Sequence, residues 1–139
     1  MTPNEISQQV IGAAIDVHRA LRPGLVEKAY EEALCHEFHL RDLGFARQRA
    51  VPISYKGVKL AADLWLDVLV EETIVVDLKA KETVTPLDKA KLLTYLGLCD
   101  LRLGLIINFH VERLIDGVAR VANRFAEAAE LLDPPDLRQ

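Results

Sequence analysis

A chain of 139 residues, half of them apolar and 27% charged, is long enough for one domain with its own core. Its composition excludes a disordered, collagen-like or disulfide-built protein. A net charge of −4 argues against a broad basic surface for phosphate binding, yet leaves room for a small acidic site that takes a metal ion. Cys35 and Cys99 fall in apolar-periodic segments, as small hydrophobes do in a reducing compartment. The N-terminal MTPNEISQQV has neither a basic nor an apolar leader region, and no apolar run approaches the ~18 residues of a membrane span. The expectation is a cytoplasmic protein with no membrane partner.

Thr2-Pro3-Asn4-Glu5 combines a capping hydroxyl, a proline at the first helical position and a glutamate three residues after the threonine, which predicts a helix start. Ile6, Val10, Ala13, Ala14, Val17 and Leu21 carry that helix to the break at Arg22-Pro23-Gly24. Val26, Ala29, Tyr30, Ala33, Leu34 and Phe38 mark a second helix, with Gly44 as a stop after Leu43. From Phe45 the pattern is extended. Val51, Ile53 and Tyr55 alternate with Pro52, Ser54 and Lys56, and the proline points to an edge strand or an irregular start. After a turn at Lys56-Gly57, Val58 to Val70 continues as a strand, and Thr73 to Ala80 is another.

Thr85-Pro86-Leu87-Asp88 repeats the helix-start signal, and Leu92, Leu93, Leu96 and Cys99 form the stripe of a third helix. Leu101 to Phe109 reads as a strand covered on both faces. Ile115-Asp116-Gly117 is a turn, Val118 to Leu132 a last helix or a short strand leading into one, and Asp133-Pro134-Pro135 ends it. The order predicts one mixed α/β domain over residues 1–132 with a tail over 133–139.

The chemistry concentrates in Asp67-Val-Leu-Val-Glu-Glu-Thr-Ile-Val-Val-Asp77-Leu-Lys79. Composition alone places about one acid two residues before a lysine, and the chain has one, so context decides its meaning. Period-two geometry puts Asp77 and Lys79 on one face of their strand and Ile74, Val76 and Leu78 on the other. The even separation of Asp67 and Asp77 lets the carboxylates oppose each other if the loop has an odd length, such as Glu71-Glu72-Thr73. A two-residue turn would send them to opposite faces. Opposed carboxylates about 4.5–5.5 Å apart at Cβ repel unless a cation intervenes, and Mg²⁺ suits such an oxygen site. Lys79 would then orient or deprotonate a water, or neutralise charge developing on the phosphorus centre. The plain alternative is a solvated strand end, with Lys79 paired to Asp77 or lying over Trp65.

Gly24-Leu-Val-Glu27-Lys-Ala-Tyr30, preceded by Val17-His18-Arg19, resembles the signature of the GxxExxY protein family, which is placed in the PD-(D/E)XK nuclease superfamily. The resemblance continues through Ile11-Gly12-Ala13-Ala14, Gln48, Tyr55-Lys56-Gly57, Asp67, Asp77-Leu-Lys79, Tyr95-Leu96, Gly104-Leu105, Ile107-Asn108-Phe109, and Gly117 with Arg120. It implies an α/β, single-domain, restriction-endonuclease-like core with a mixed sheet of about four strands flanked by helices. It further implies a divalent-metal-dependent nuclease using Mg²⁺ or Mn²⁺ and acting on DNA or RNA. By that likeness Asp67, Asp77 and Glu27 are metal ligands, and Lys79 joins them as a catalytic residue. Lys91, Tyr95, Tyr30 and Trp65 are candidate substrate contacts. Glu27 and Tyr30, three apart on a helix, share a face from which both could reach the site; the plain alternative is a core aromatic with a satisfied hydroxyl at Tyr30 and an exposed partner of Lys28 or Arg22 at Glu27.

Four positions depart from the family pattern: Asp77 for the usual Glu, Lys91 for a glutamine, Asp88 for a frequent histidine, and Trp65 for an arginine two residues before Asp67. A second reading therefore stays open, a catalytically silent nuclease-fold module that binds nucleic acid or a protein. A third is a homodimer with a composite site. Arg41, Arg47, Arg49, Lys56 and Lys59 cluster around the first hairpin and are the one candidate phosphate-contacting group, although the residues favour a solvated face. His18 reads as a buried, hydrogen-bonded histidine, since no other His or Cys is spaced to join it at a metal.

Overall fold

The computed structural model of the chain describes residues 1–124. The expected last helix toward Leu132 and the tail over 133–139 lie outside the described residues. Helix α1, Pro3–Leu21, begins as expected: the Thr2 hydroxyl accepts from the Glu5 N–H, and the Glu5 carboxylate accepts from the Thr2 N–H. Helix α2 spans Glu27–Leu40, and α3 spans Pro86–Cys99 with a second reciprocal cap between Thr85 and Asp88.

Between them run β1 (Phe45–Tyr55), β2 (Val58–Val70) and β3 (Ile74–Lys79), and after α3 come β4 (Leu103–Asn108) and β5 (Val118–Ala122). The strands form one sheet in chain order. Every pairing is antiparallel except β3 with β4, which are parallel and joined through α3. The sheet has five strands where about four were expected. Val118–Ala122 is the additional one, the short-strand alternative for that segment, entered through a 3₁₀ turn at Leu114–Gly117. Gly117 is required there, because a Cβ would lie 2.1 Å from the Asn108 carbonyl.

Two apolar layers hold the sheet. On one face α1 and α2 pack Val10, Ala14, Leu34 and Phe38 against Val68, Val76, Leu78, Leu105 and Ile107. On the other, Leu92 and Leu96 of α3 meet Leu66, Leu69, Val75 and Ile106. Each fully buried aliphatic side chain contributes roughly 1.5–3 kcal/mol, so the strands at the centre of the sheet are fixed from both sides. β1 is an edge strand, and its register slips between Pro52 and Ser54, where the proline cannot donate to the ladder. No helix among the described residues is long and apolar enough to cross a membrane.

Candidate active site

The register of β2 and β3 decides where the acids go. Val70 pairs with Ile74, Leu69 with Val75 and Val68 with Val76, around a three-residue loop of Glu71, Glu72 and Thr73. Glu71 and Glu72 both adopt left-handed backbone (φ 52° and 50°), and the Thr73 N–H returns to the Val70 carbonyl at 2.9 Å. The next position along the pair is Asp67 opposite Asp77. The ladder ends there: the Asp67 carboxylate instead accepts from the Leu78 N–H at 3.0 Å.

The β1 side opens at the same place. Arg47 pairs with Val68 and Arg49 with Leu66, but Gln48, which lies between them, adopts φ 46° and leaves the ladder. Gln48 is held in this conformation by Glu31 of α2, whose carboxylate accepts from the Gln48 side-chain amide at 2.9 Å and from Arg47 at 2.7 and 3.1 Å. Glu31 is buried. Its one mark in the sequence is its place one helical turn after Glu27.

Asp67, Asp77 and Lys79 line one cavity of about 150 Å³ together with Glu27, Trp65, Lys91 and Tyr95. Asp77 is 9% exposed, and its carboxyl is pushed up to about 6. Burial is the largest cause; Lys79 opposes it, and the neighbouring Asp67, close enough to hydrogen-bond to it, adds to it. Lys79 Nζ lies 3.3 Å from Asp77 Oδ1. Partial burial works against the Lys79 charge, but the carboxylates of Asp77, Asp88 and Glu27 outweigh it and hold the ammonium above its usual range. Glu27 is raised too, first by partial burial of its carboxyl and then by Asp67.

Glu27 belongs to α2, which packs on the opposite face of the sheet, and reaches the cavity from the first turn of that helix. It does not complete a cluster of three carboxylates: among the described residues no group of three His, Cys, Asp or Glu side chains stands close enough to enclose an ion. Asp67 and Asp77, facing a polar cavity, are the carboxylates that could hold a cation there. That pair fits a hard divalent cation that keeps most of its waters.

Tyr30 is not at the cavity. It is fully buried, stacks on Phe109 with ring centroids 4.5 Å apart, donates to the Arg22 carbonyl at 2.6 Å and accepts from the Leu25 N–H at 3.0 Å. The tyrosine of the G-x-x-E-x-x-Y string thus pins the Arg22–Leu25 loop ahead of α2 and has no surface to offer a substrate. His18 is the buried histidine expected, with Nε2 2.7 Å from the Val111 carbonyl. Asp88 caps α3 and pairs with Lys81, so it fixes the loop between β3 and α3. Asn108 holds the same loop, accepting from the Lys81 N–H and donating to its carbonyl.

The arginines of the basic cluster around the first hairpin are held in ion pairs. Arg41 pairs with Asp16 and Glu37, Arg47 with Glu31, and Arg49 with Glu72. Only Lys56 and Lys59 of that group are outside these ion pairs among the described residues, and Lys56 lies over the Tyr55 ring.

A family model described as the PD-(D/E)XK nuclease superfamily matches residues 4–121. No curated protein and no solved structure matches the chain. The matched span contains the whole sheet up to its last strand, all three helices and every residue lining the carboxylate cavity, in the mixed α/β arrangement of a restriction-endonuclease-like fold. On that match the chain belongs to the PD-(D/E)XK nuclease superfamily.

Proposed function

We propose that the chain is a divalent-metal-dependent nuclease that hydrolyses phosphodiester bonds at the cavity of Asp67, Asp77 and Lys79. The observation that carries this reading is the register of β2 and β3, which brings two carboxylates to opposing positions with an ammonium 3.3 Å from one of them. Asp77 is nearly buried beside Asp67, and its raised carboxyl expresses first the cost of that burial and then the neighbouring carboxylate, which the Lys79 ammonium offsets only in part.

Asp67 and Asp77 would hold Mg²⁺ or Mn²⁺, which when bound supplies a Lewis acid for the scissile phosphate. Lys79 is held protonated, so it serves as a donor and a fixed cation that orients the attacking water and offsets charge on the phosphate oxygens, in preference to the role of base. Glu27, with its carboxyl above the usual range and at the same cavity, is placed to exchange a proton with that water. Lys91 and Tyr95, one turn apart on α3, and Trp65 on β2 would meet the nucleic-acid strand.

The test is cleavage of labelled DNA and RNA oligonucleotides in Mn²⁺ and Mg²⁺ by the full chain and by Lys79→Ala. The reading expects cleavage that requires the metal and falls at least a hundredfold in the variant. Equal cleavage by Lys79→Ala, or no cleavage of any strand by the wild type, would overturn it.

A further inference from the structure

Trp65 is the only tryptophan in the chain, stands two residues before Asp67, and pairs across the strands with the small, exposed Ala50. It is 58% exposed, although it lines the same cavity as Asp67, Asp77 and Lys79. Isolated exposed apolar residues need no explanation. A largely exposed indole that also lines a polar cavity is different, because it offers apolar surface to a ligand bound there, and Tyr95 of α3 adds a second aromatic ring to the same lining.

Charge narrows what that ligand is. The net charge is −4, and the three arginines flanking the first hairpin are engaged in internal ion pairs. A chain of net negative charge gains less than a basic one from neutralising the many phosphates of a duplex. Stacking of bases on aromatic rings supplies affinity that does not depend on net charge, and only an unpaired base presents a free face to the protein. The cavity, about 150 Å³, is too small for a duplex and is on the scale of a single base or phosphate group.

Resting on the nuclease reading above, we infer that the substrate is single-stranded or locally unpaired nucleic acid, with one base stacked on Trp65 and the adjoining phosphate beside Lys91. Trp65 selects the strand by its state of pairing, whereas the carboxylates and Lys79 act on the phosphodiester.

The emission of the sole tryptophan reports on this position alone. The experiment uses the full chain carrying Asp77→Asn, in EDTA, so that neither metal binding nor cleavage enters the signal. Oligothymidylate is expected to quench the emission, while an abasic oligomer of equal length and a blunt duplex quench only at concentrations about tenfold higher or more. In parallel, anisotropy of a labelled oligothymidylate is expected to show affinity retained within a few-fold by Trp65→Phe and reduced about tenfold or more by Trp65→Ala. Because the side chain is exposed, neither substitution disturbs a core. Equal quenching by the abasic oligomer, preference for duplex, unchanged affinity in Trp65→Ala, or no nucleic-acid binding at all overturns the inference. Metal-dependent cleavage that Trp65→Ala leaves intact would retain the nuclease reading and reject the stacking role. Base-dependent quenching without cleavage by the wild type would do the reverse.

Discussion

Asp67 and Asp77 occupy opposing positions on β2 and β3 because the turn that joins the strands contains three residues. The arrangement is costly in the metal-free protein. Asp77 is nearly buried, and its carboxyl lies at about 6 in the folded chain against an ordinary value near 4. A carboxyl raised by folding binds its proton more tightly in the native state, so stability falls as pH rises from about 4 to about 6 and stays lower above that. Asp77→Asn removes the buried charge. It is expected to raise the urea midpoint of the metal-free protein at neutral pH by the equivalent of on the order of 1 kcal/mol, and to leave it unchanged near pH 4. A loss of stability at neutral pH would show that the Asp77 charge is there for its pairing with Lys79.

Asp88 predicts the opposite pH response. Its carboxyl is held down at about 2, first by the Lys81 ammonium and then by the Thr85 N–H. A depressed carboxyl contributes stability that is present above its unfolded value near 4 and is lost as pH falls toward 2. Asp88→Asn should therefore cost about 1 kcal/mol at neutral pH, typical of a helix cap, with the gap to wild type closing below about pH 3. Urea unfolding of both proteins across that range measures it.

Tyr30→Phe separates structure from catalysis. The hydroxyl joins the Arg22 carbonyl to the Leu25 N–H inside the loop ahead of α2. Its removal leaves both groups short of a partner and should cost about 1–2 kcal/mol of stability. Because the ring is fully buried, kcat and KM for any oligonucleotide should stay within about twofold of wild type once the protein is folded. A large fall in kcat with stability unchanged would put Tyr30 back among the substrate contacts.

The contrast between Glu27 and Tyr30 shows how much of the site the sequence carried. Strand parity limited Asp67 and Asp77 to two arrangements, and the loop length, which the sequence left open, decides between them through the pairing of Val70 with Ile74. Glu27, Trp65, Lys91 and Tyr95, each singled out along the sequence, line one cavity in the fold. Tyr30 was paired with Glu27 by helical spacing, but the shared face turns from cavity to core within the first turn of α2, and only packing against Phe109 reveals it. The ion-pair partners of Arg47 and Arg49 could not be read from the sequence, because Glu31 and Glu72 are 16 and 23 residues away. Gln48 adopts left-handed backbone through a bond to Glu31 that no local pattern marks. The helix starts at Thr2 and Thr85 were legible because caps are local chemistry.

The measurement that bears most directly on the account is calorimetric titration of Mn²⁺ into the full chain beside Asp77→Asn, at a pH above 7 where the Asp77 carboxyl is ionised. The opposed carboxylates predict saturable binding of one cation by the wild type and none by the variant at the same concentration. Equal binding by both proteins would place the cation elsewhere and contradict the metal site built from Asp67 and Asp77.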